Sequence, residues 1–227
     1  MALRIWLAFK RFWGTDRGLS ALLFWLVALI FVLPASGLID RYGRLAIDGV
    51  FTLLMIAGVA SISKQRAATI AVGVIAVCAL GVRWIGRAFP SPEIEVATSI
   101  SGLLSIATLT VVVLAQVFRA GSINRHRILG AIAVYLLLGL AWAEAYSAMA
   151  IVAPNAFQPP GSFVGNQERW LYYSFVTLTT VGYGDILPVG GLARSLTVME
   201  ALTGQLYPAI LLARLVSLEV GAREEHP

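Results

Sequence analysis

The chain has 227 residues, of which 59% are hydrophobic and 13% charged, and its mean hydropathy is +0.82. This composition excludes an ordinary soluble domain and is typical of a membrane protein. The net charge of +5 would also fit a nucleic-acid-binding protein, but the basic residues lie between apolar segments, as they do at cytoplasmic membrane flanks. No cleavable signal peptide is predicted, because the first apolar segment is too long for one and further apolar segments follow.

The first 18 residues are predicted to form a cytoplasmic interfacial segment. As a helix, this segment would carry its bulky apolar residues on one face and its basic residues on the other, as helices that lie on a membrane surface do. The apolar face would hold Ile5, Trp6, Phe9, Phe12 and Trp13, and the basic side Arg4, Lys10 and Arg11. Disorder is the alternative for this segment.

Six later segments are predicted to cross the membrane, because each approaches the 20 or so apolar residues that a spanning helix needs. They are Leu19–Leu38, Leu45–Ile62, Ala67–Phe89, Val96–Phe118, Ile128–Ala153 and Leu192–Val220. More basic residues lie on the inner flanks when both termini are cytoplasmic, so we predict this orientation in a multi-pass cell-membrane protein. The excess of arginine over lysine hints at a bacterial inner membrane. The fold class is therefore predicted to be all-α.

These segments divide the chain into five predicted parts. Residues 19–118 form a four-helix, sensor-like domain, residues 119–127 a cytoplasmic linker, residues 128–220 a pore domain and residues 221–227 a cytoplasmic tail. The fourth segment contains no arginine or lysine. Because a voltage sensor needs about 3–4 gating arginines in each subunit, we predict weak or absent voltage gating.

Between the fifth and sixth segments lies a stretch that cannot span the membrane. Pro154–Asn166 is rich in proline and glycine, which predicts an exposed turret, and Gln167–Thr179 predicts a short helix. A short helix followed by irregular backbone is tolerated at membrane depth only where protein buries it or water lines it. The stretch therefore predicts a re-entrant loop.

The re-entrant loop ends in Thr180–Asp185, with the sequence TVGYGD. Consecutive carbonyl groups can point at one axis only if the backbone alternates between right- and left-handed conformations, and glycine enters the left-handed one without steric cost. Gly182 and Gly184 provide such positions, and Val181 and Tyr183 between them can point away from the axis. A ring of such carbonyl groups can replace the hydration shell of a potassium ion. A glycine-rich turn is the alternative interpretation.

With this motif between two apolar segments, the chain resembles a six-helix potassium channel subunit of the voltage-gated-like superfamily. The resemblance is close over Ile128–Val220, whereas the first four segments match only in number and hydropathy. It implies a homotetramer around one pore that conducts K⁺ passively, with K⁺ as the transported ion and no cofactor. It also implies that the ion-coordinating oxygens come from the selectivity filter Thr180, Val181, Gly182, Tyr183 and Gly184.

The resemblance also implies residues that support the filter. Asp185 would lie at the outer mouth, and Thr177 belongs to the longer filter motif. Tyr172 and Tyr173 occupy positions where family members often carry tandem aromatic residues, so they could hydrogen-bond Asp185 and Tyr183. Simple helix packing is the alternative role for the two tyrosines.

Several ionisable residues lie within the apolar segments, where they are costly and usually face protein. By resemblance, Glu144 would bond to backbone amides behind the filter, with water contact at the interface as the alternative. Glu200 would either raise the local cation concentration or bond to the pore helix. Asp48 shares a depth with Arg83 and Arg87, which predicts an ion pair, with snorkelling of the arginines as the alternative.

The last segment carries the predicted gating elements. Gly204 lies where related channels have a hinge glycine, and Pro208 would add a kink. Close packing of Gly204 against the pore helix is the alternative. Helical spacing predicts a pore-lining face of Ala201, Gln205, Pro208 and Leu212.

Other functions remain as alternatives. A non-selective cation channel would need an altered filter, and a potassium transporter subunit would repeat the two-helix pore unit within one chain. An enzyme is not expected, since no catalytic or metal-binding constellation is present. The predicted partners are three further copies of the chain and membrane lipids, with no nucleic acid and no soluble ligand-binding domain.

Overall fold

The computed structural model describes residues 17–32, 34, 44–61, 66–89, 91–118, 125–158 and 166–224. Within these residues the chain is almost entirely helical. The helices are α1 (Arg17–Val27, continued by a π-helical turn, Ala28–Val32), α2 (Arg44–Ser61), α3 (Arg66–Ala88), α4 (Pro92–Val117), α5 (Arg125–Val152), α6 (Asn166–Leu178) and α7 (Gly191–Glu224). The predicted interfacial segment lies outside the described residues up to position 16, and so do positions 159–165 of the predicted turret.

Among the described helices, three are long and apolar enough to cross a membrane: Glu93–Ala115, Arg127–Val152 and Gly191–Arg214. The other three predicted spans contain shorter apolar stretches, Leu19–Val32, Asp48–Gly58 and Val72–Gly86. The structure is therefore that of a helical membrane protein. The crossing of the membrane by all six predicted segments remains a prediction.

Helix α4 begins where its sequence provides a cap. Ser91 has extended backbone, and its Oγ accepts a hydrogen bond from the amide of Ile94 at 3.3 Å. Pro92 takes the first helical position, where a missing N–H group costs nothing, and Glu93 and Glu95 lie in the first turn. Their negative charges complement the partial positive charge of a helix N-terminus.

Helices α1 and α4 pack on α5 of the same chain, while α2 packs on α1 and α3 packs on α4. Apolar side chains of α1, α2, α4 and α5 form one buried core, with Leu22, Leu54, Leu109 and Leu137 all fully buried in it. In addition, Ser99 of α4 donates a hydrogen bond to Ser147 of α5 at 3.2 Å. The structure thus places the sensor-like helices against their own pore unit, a question that the sequence left open.

A short antiparallel strand pair, β1 (Phe157–Gln158) and β2 (Leu187–Pro188), lies at one end of the pore unit. The amides of Val189 and Gly190 add hydrogen bonds to the carbonyl of Ala156, at 2.9 and 3.1 Å. This pair was not predicted, because two residues are too few to give an alternating pattern. The strand pair joins the segment that follows the TVGYGD motif to the segment that follows α5.

Helix α7 is longer than predicted. It continues through Pro208 without interruption and ends at Glu224 rather than Val220, so most of the predicted tail is helical. Its buried face packs on α6 and α5. Much of the rest of its surface is apolar and exposed in the single chain, including Leu192, Leu202, Leu206 and Ile210.

Candidate functional site

Helix α6 unwinds directly into the TVGYGD motif through a Schellman motif. The amide of Val181 donates to the carbonyl of Val176, and the amide of Thr180 donates to the carbonyl of Thr177, both at 2.9 Å. Thr180 occupies the left-handed position of this motif, with φ of 57°. Glycine is usual there, and a β-branched residue in this conformation costs about 1–3 kcal/mol.

Three alternate residues of the motif have left-handed backbone. The φ angles are 57° at Thr180, 61° at Gly182 and 77° at Gly184. The left-handed conformation that the sequence predicts for the two glycines is present, and Thr180 adds a third position that the sequence did not suggest. Val181 and Tyr183 lie between these positions, and both are exposed in the single chain.

Tyr172 is the predicted supporting residue that lies next to the motif. Its ring is stacked with that of Tyr183, with the centroids 6.5 Å apart and the planes inclined by 3°. Its hydroxyl forms a hydrogen bond with Asp185, and this bond is the main reason why the pKa of Tyr172 is raised from 10.0 to about 12. A tyrosine that donates to a carboxylate resists ionisation because the donated proton would be lost.

Replacing Tyr172 with phenylalanine is expected to remove one tyrosine titration at strongly alkaline pH. Because the pKa of Tyr172 is raised, its bond to Asp185 is complete below the ordinary value of 10.0 and is lost as the pH rises through about 12. Tyrosinate absorbance measured for the intact chain and for Tyr172→Phe should therefore differ by one group that titrates near the higher value. A difference centred on the ordinary value would contradict the hydrogen bond.

Tyr173 does not share the position of Tyr172. It is buried, its hydroxyl lies 2.7 Å from Oγ1 of Thr197 on α7, and its ring lies 4.9 Å from that of Tyr146. Successive helical residues point in directions about 100° apart, so two adjacent tyrosines cannot both face the motif. Of the two roles considered for Tyr173, the structure supports helix packing, in the form of a contact that joins α6 to α7. Thr177 is also buried at this end of α6.

Glu144 lies in a buried cluster of charges that joins the sensor-like helices to α5. Its Oε1 accepts a hydrogen bond from Nη2 of Arg83 at 2.7 Å, while Nη1 of Arg83 lies 3.3 Å from Oδ1 of Asp48. The guanidinium group also lies over the ring of Phe51, 4.1 Å from its centroid. The ion pair predicted between Asp48 and Arg83 is present.

The partner of Glu144 is not the one that the resemblance implied. The carboxylate lies against Arg83 on α3, whereas the resemblance implied a bond to backbone amides behind the filter. An arginine separated by 61 positions along the chain gives no local signal of such a pairing. The backbone brace therefore remains a prediction, and the contact with Arg83 is the finding.

Glu200 of α7 is completely buried and lies against α6 and α5. Its Oε1 lies 2.5 Å from Oγ of Ser174, and its Oε2 accepts a hydrogen bond from the hydroxyl of Tyr146 at 2.6 Å. The second of the two roles considered for this residue, a bond to the pore helix, is the one that the structure supports.

Gly204 lies in close contact with the end of α6. A Cβ atom at this position would lie 1.9 Å from the carbonyl oxygen of Leu178 and 2.8 Å from its carbonyl carbon. Real Cβ atoms do not approach a backbone oxygen so closely, so only glycine fits between these helices. The close packing considered as the alternative to a hinge is present. A hinge at Gly204 and Pro208 remains a prediction.

The predicted pore-lining residues lie along α7 on the side of the motif. Gln205 is the one in contact with it, since its Nε2 donates to Oγ1 of Thr180 at 3.1 Å. Ala201 is half-buried, and Pro208 and Leu212 are exposed in the single chain. Gln205 therefore holds the hydroxyl of the residue at which α6 turns into the motif.

Comparison with known proteins gives one family match, over residues 132–220, to a family described as "Ion channel". Among curated proteins, the chain is 40% identical over 86 residues to Protein LctB of Geobacillus stearothermophilus, covering 36% of this chain and 62% of that protein. It is 39% identical over 77 residues to the inward rectifier potassium channel Kirbac3.1 of Paramagnetospirillum magnetotacticum, covering 34% of this chain and 24% of that one. No solved structure gave a significant match.

The relatives match only part of this chain. Protein LctB of Bacillus caldotenax is 36% identical over 87 residues, which cover 36% of this chain and 64% of that protein. The chain thus spans less than two thirds of the length of each of these relatives. The family match begins within α5 and ends within α7, so it contains the short helix, the motif and Glu200.

Proposed function

Because residues 132–220 match a family described as "Ion channel", we propose that four copies of this chain form a potassium-selective channel. The family match indicates a channel and not an enzyme. The proposal assigns α6 to a re-entrant pore helix and assigns the selectivity filter to the five residues that follow Thr179. One relative carries the name of a potassium channel, which supports K⁺ as the ion.

The observation that carries the proposal is the left-handed backbone at every second residue from Thr180 to Gly184. Alternation of left- and right-handed residues turns successive carbonyl groups towards a common side, as a row of ion sites requires. The Thr180 hydroxyl provides a further oxygen at the inner end of the row. Potassium ions would pass from site to site, with their hydration shells replaced by these oxygens.

Assembly into a tetramer follows from what one chain can supply. A single chain contributes one filter strand, and a closed ring of carbonyl groups needs several. The filter residues and the apolar side chains of α7, among them Leu202 and Leu206, are exposed in the single chain. Apolar surface of this extent fits contact with further subunits and with lipid.

The position of α6 also favours a cation. The carbonyl end of a helix carries about half a negative charge, and the last turn of α6 leads directly to Thr180. In the tetramer, four such ends would face the space below the filter. All six predicted spans, weak voltage gating, and the inner-membrane location with both termini in the cytoplasm belong to the same proposal.

The proposal is tested by ion flux into liposomes that contain the purified protein. We expect uptake under a K⁺ gradient and little uptake under a matched Na⁺ gradient. Equal passage of the two ions would contradict selectivity and favour the non-selective channel. A protein that does not assemble with fourfold symmetry would contradict the tetramer.

Replacing Gly184 with alanine should abolish K⁺ selectivity. Its φ of 77° is unfavourable for any residue with a Cβ atom, at a cost of about 1–2 kcal/mol in each subunit. Gly81→Ala is the matched control, because it adds the same methyl group in helix α3, where nothing lies within 4 Å of the new atom. Flux with unchanged selectivity in Gly184→Ala would argue against the filter assignment.

A further inference from the structure

The buried carboxyl group of Glu200 has only hydroxyl groups as partners in the described part of the chain. Ser174 of α6 and Tyr146 of α5 contact its two oxygens, at 2.5 and 2.6 Å. Tyr135 of α5 and Tyr173 of α6 are the other titratable groups that face it. None of these four groups carries a positive charge, so no cation among them balances a charge on Glu200.

The geometry around Ser174 allows the protons to be counted. Oγ of Ser174 lies 2.5 Å from Oε1 of Glu200 and 2.7 Å from the carbonyl oxygen of Gly139. Oxygens so close to one another need a proton between them, so the two contacts require two protons. Ser174 has one, and a backbone carbonyl group has none. The second proton must therefore come from the carboxyl group of Glu200.

We propose that Glu200 is a proton-binding site and that its neutral carboxyl group links helices α5, α6 and α7. In this arrangement Glu200 donates to Ser174, Ser174 donates to the carbonyl group of Gly139, and Tyr146 donates to the other oxygen of Glu200. Every polar atom of the cluster has a partner, as buried polar atoms require. An ionised Glu200 would leave one short oxygen–oxygen contact without a proton and would place an unbalanced charge among apolar side chains.

The site is independent of ion selectivity, because it depends only on how the three helices pack. Its position behind the filter gives it a consequence for the pore nonetheless. Ser174 precedes Thr180 by less than two helical turns, so the bound proton holds α7 to the helix from which the proposed filter begins.

Infrared spectroscopy of the purified full-length chain tests the proposal at neutral pH. A protonated carboxyl group has a C=O stretching band that a carboxylate lacks. We expect this band in the intact chain and its loss in Glu200→Gln, which keeps the shape and the hydrogen-bonding capacity of the neutral group. Glu93→Gln is the matched control, since Glu93 is exposed at the start of α4, and it should leave the band unchanged.

A second variant keeps the test decisive if Glu200→Gln does not fold. Ser174→Ala removes the acceptor of the proposed proton but leaves the carboxyl group in place, so the band should shift without disappearing. A neutral-pH spectrum in which neither substitution changes a carboxyl C=O band would show that Glu200 is ionised and would overturn the proposal. The result does not depend on flux, so it can fail while the channel assignment stands.

Discussion

Gly204→Ala is expected to separate α7 from the end of α6 and to stop potassium conduction. The added methyl group would lie 1.9 Å from the carbonyl oxygen of Leu178. Because the nearest atoms belong to the backbone of Leu178, no flexible side chain can move aside to relieve the clash. Overpacking of this kind typically costs about 1–3 kcal/mol, and occasionally more, and we expect the upper end here. Thermal unfolding and liposome flux would measure the two effects.

Gly191→Ala is the matched control for this prediction. Gly191 is in the same helix, and nothing lies within 4 Å of the atom that alanine would add, so stability should change by no more than about 0.5 kcal/mol. A hinge role alone predicts a different result. In that case Gly204→Ala would retain its stability and change only the fraction of time for which the pore is open, and this result would contradict the close-packing interpretation.

Arg83→Met is expected to give the largest loss of stability among substitutions in the four sensor-like helices. It removes the cation that Asp48 and Glu144 share, while both carboxyl groups stay buried. Removal of one partner from a buried ionic cluster typically costs about 3–5 kcal/mol. Denaturation monitored by the loss of helical structure would measure the change.

The combined variant Asp48→Asn, Arg83→Met and Glu144→Gln provides the control. If the loss arises from uncompensated negative charge, neutralising both carboxyl groups should recover a large part of it. If it arises from lost packing against Phe51, over whose ring the guanidinium lies, the combined variant should be as unstable as the single one. An Arg83→Met protein as stable as the intact chain would contradict both explanations.

The sequence was sufficient to predict those features of the structure that neighbouring residues determine. Hydropathy located both ends of α2, α3, α4, α5 and α7 within a few residues, and the TVGYGD motif predicted left-handed backbone at Gly182 and Gly184. The motif could not indicate that Thr180 would also be left-handed. That conformation is imposed by the way in which α6 ends, through the bonds of Val181 and Thr180 to carbonyl groups of its last turn.

The sequence was insufficient to predict side-chain contacts between residues that lie far apart along the chain. The pairing of Glu144 with Arg83 bridges two helices separated by α4, and the bonds of Glu200 join three helices. Helical periodicity says which residues share a face but not which residue of another helix meets them. For Tyr173, the periodicity of α6 was enough to place it away from Tyr172, but the family resemblance had treated the two tyrosines as one pair.

Thr180 occupies a position where the backbone alone would favour glycine. Replacement of Thr180 by glycine would therefore remove the backbone strain at the end of α6, and the altered protein would fold at least as readily. The same change would delete the oxygen held by Gln205, which under the proposed function is a ligand of the innermost ion in each subunit. Stability and conduction thus make opposite demands on this one residue, and a screen for thermal tolerance alone would select the poorer conductor.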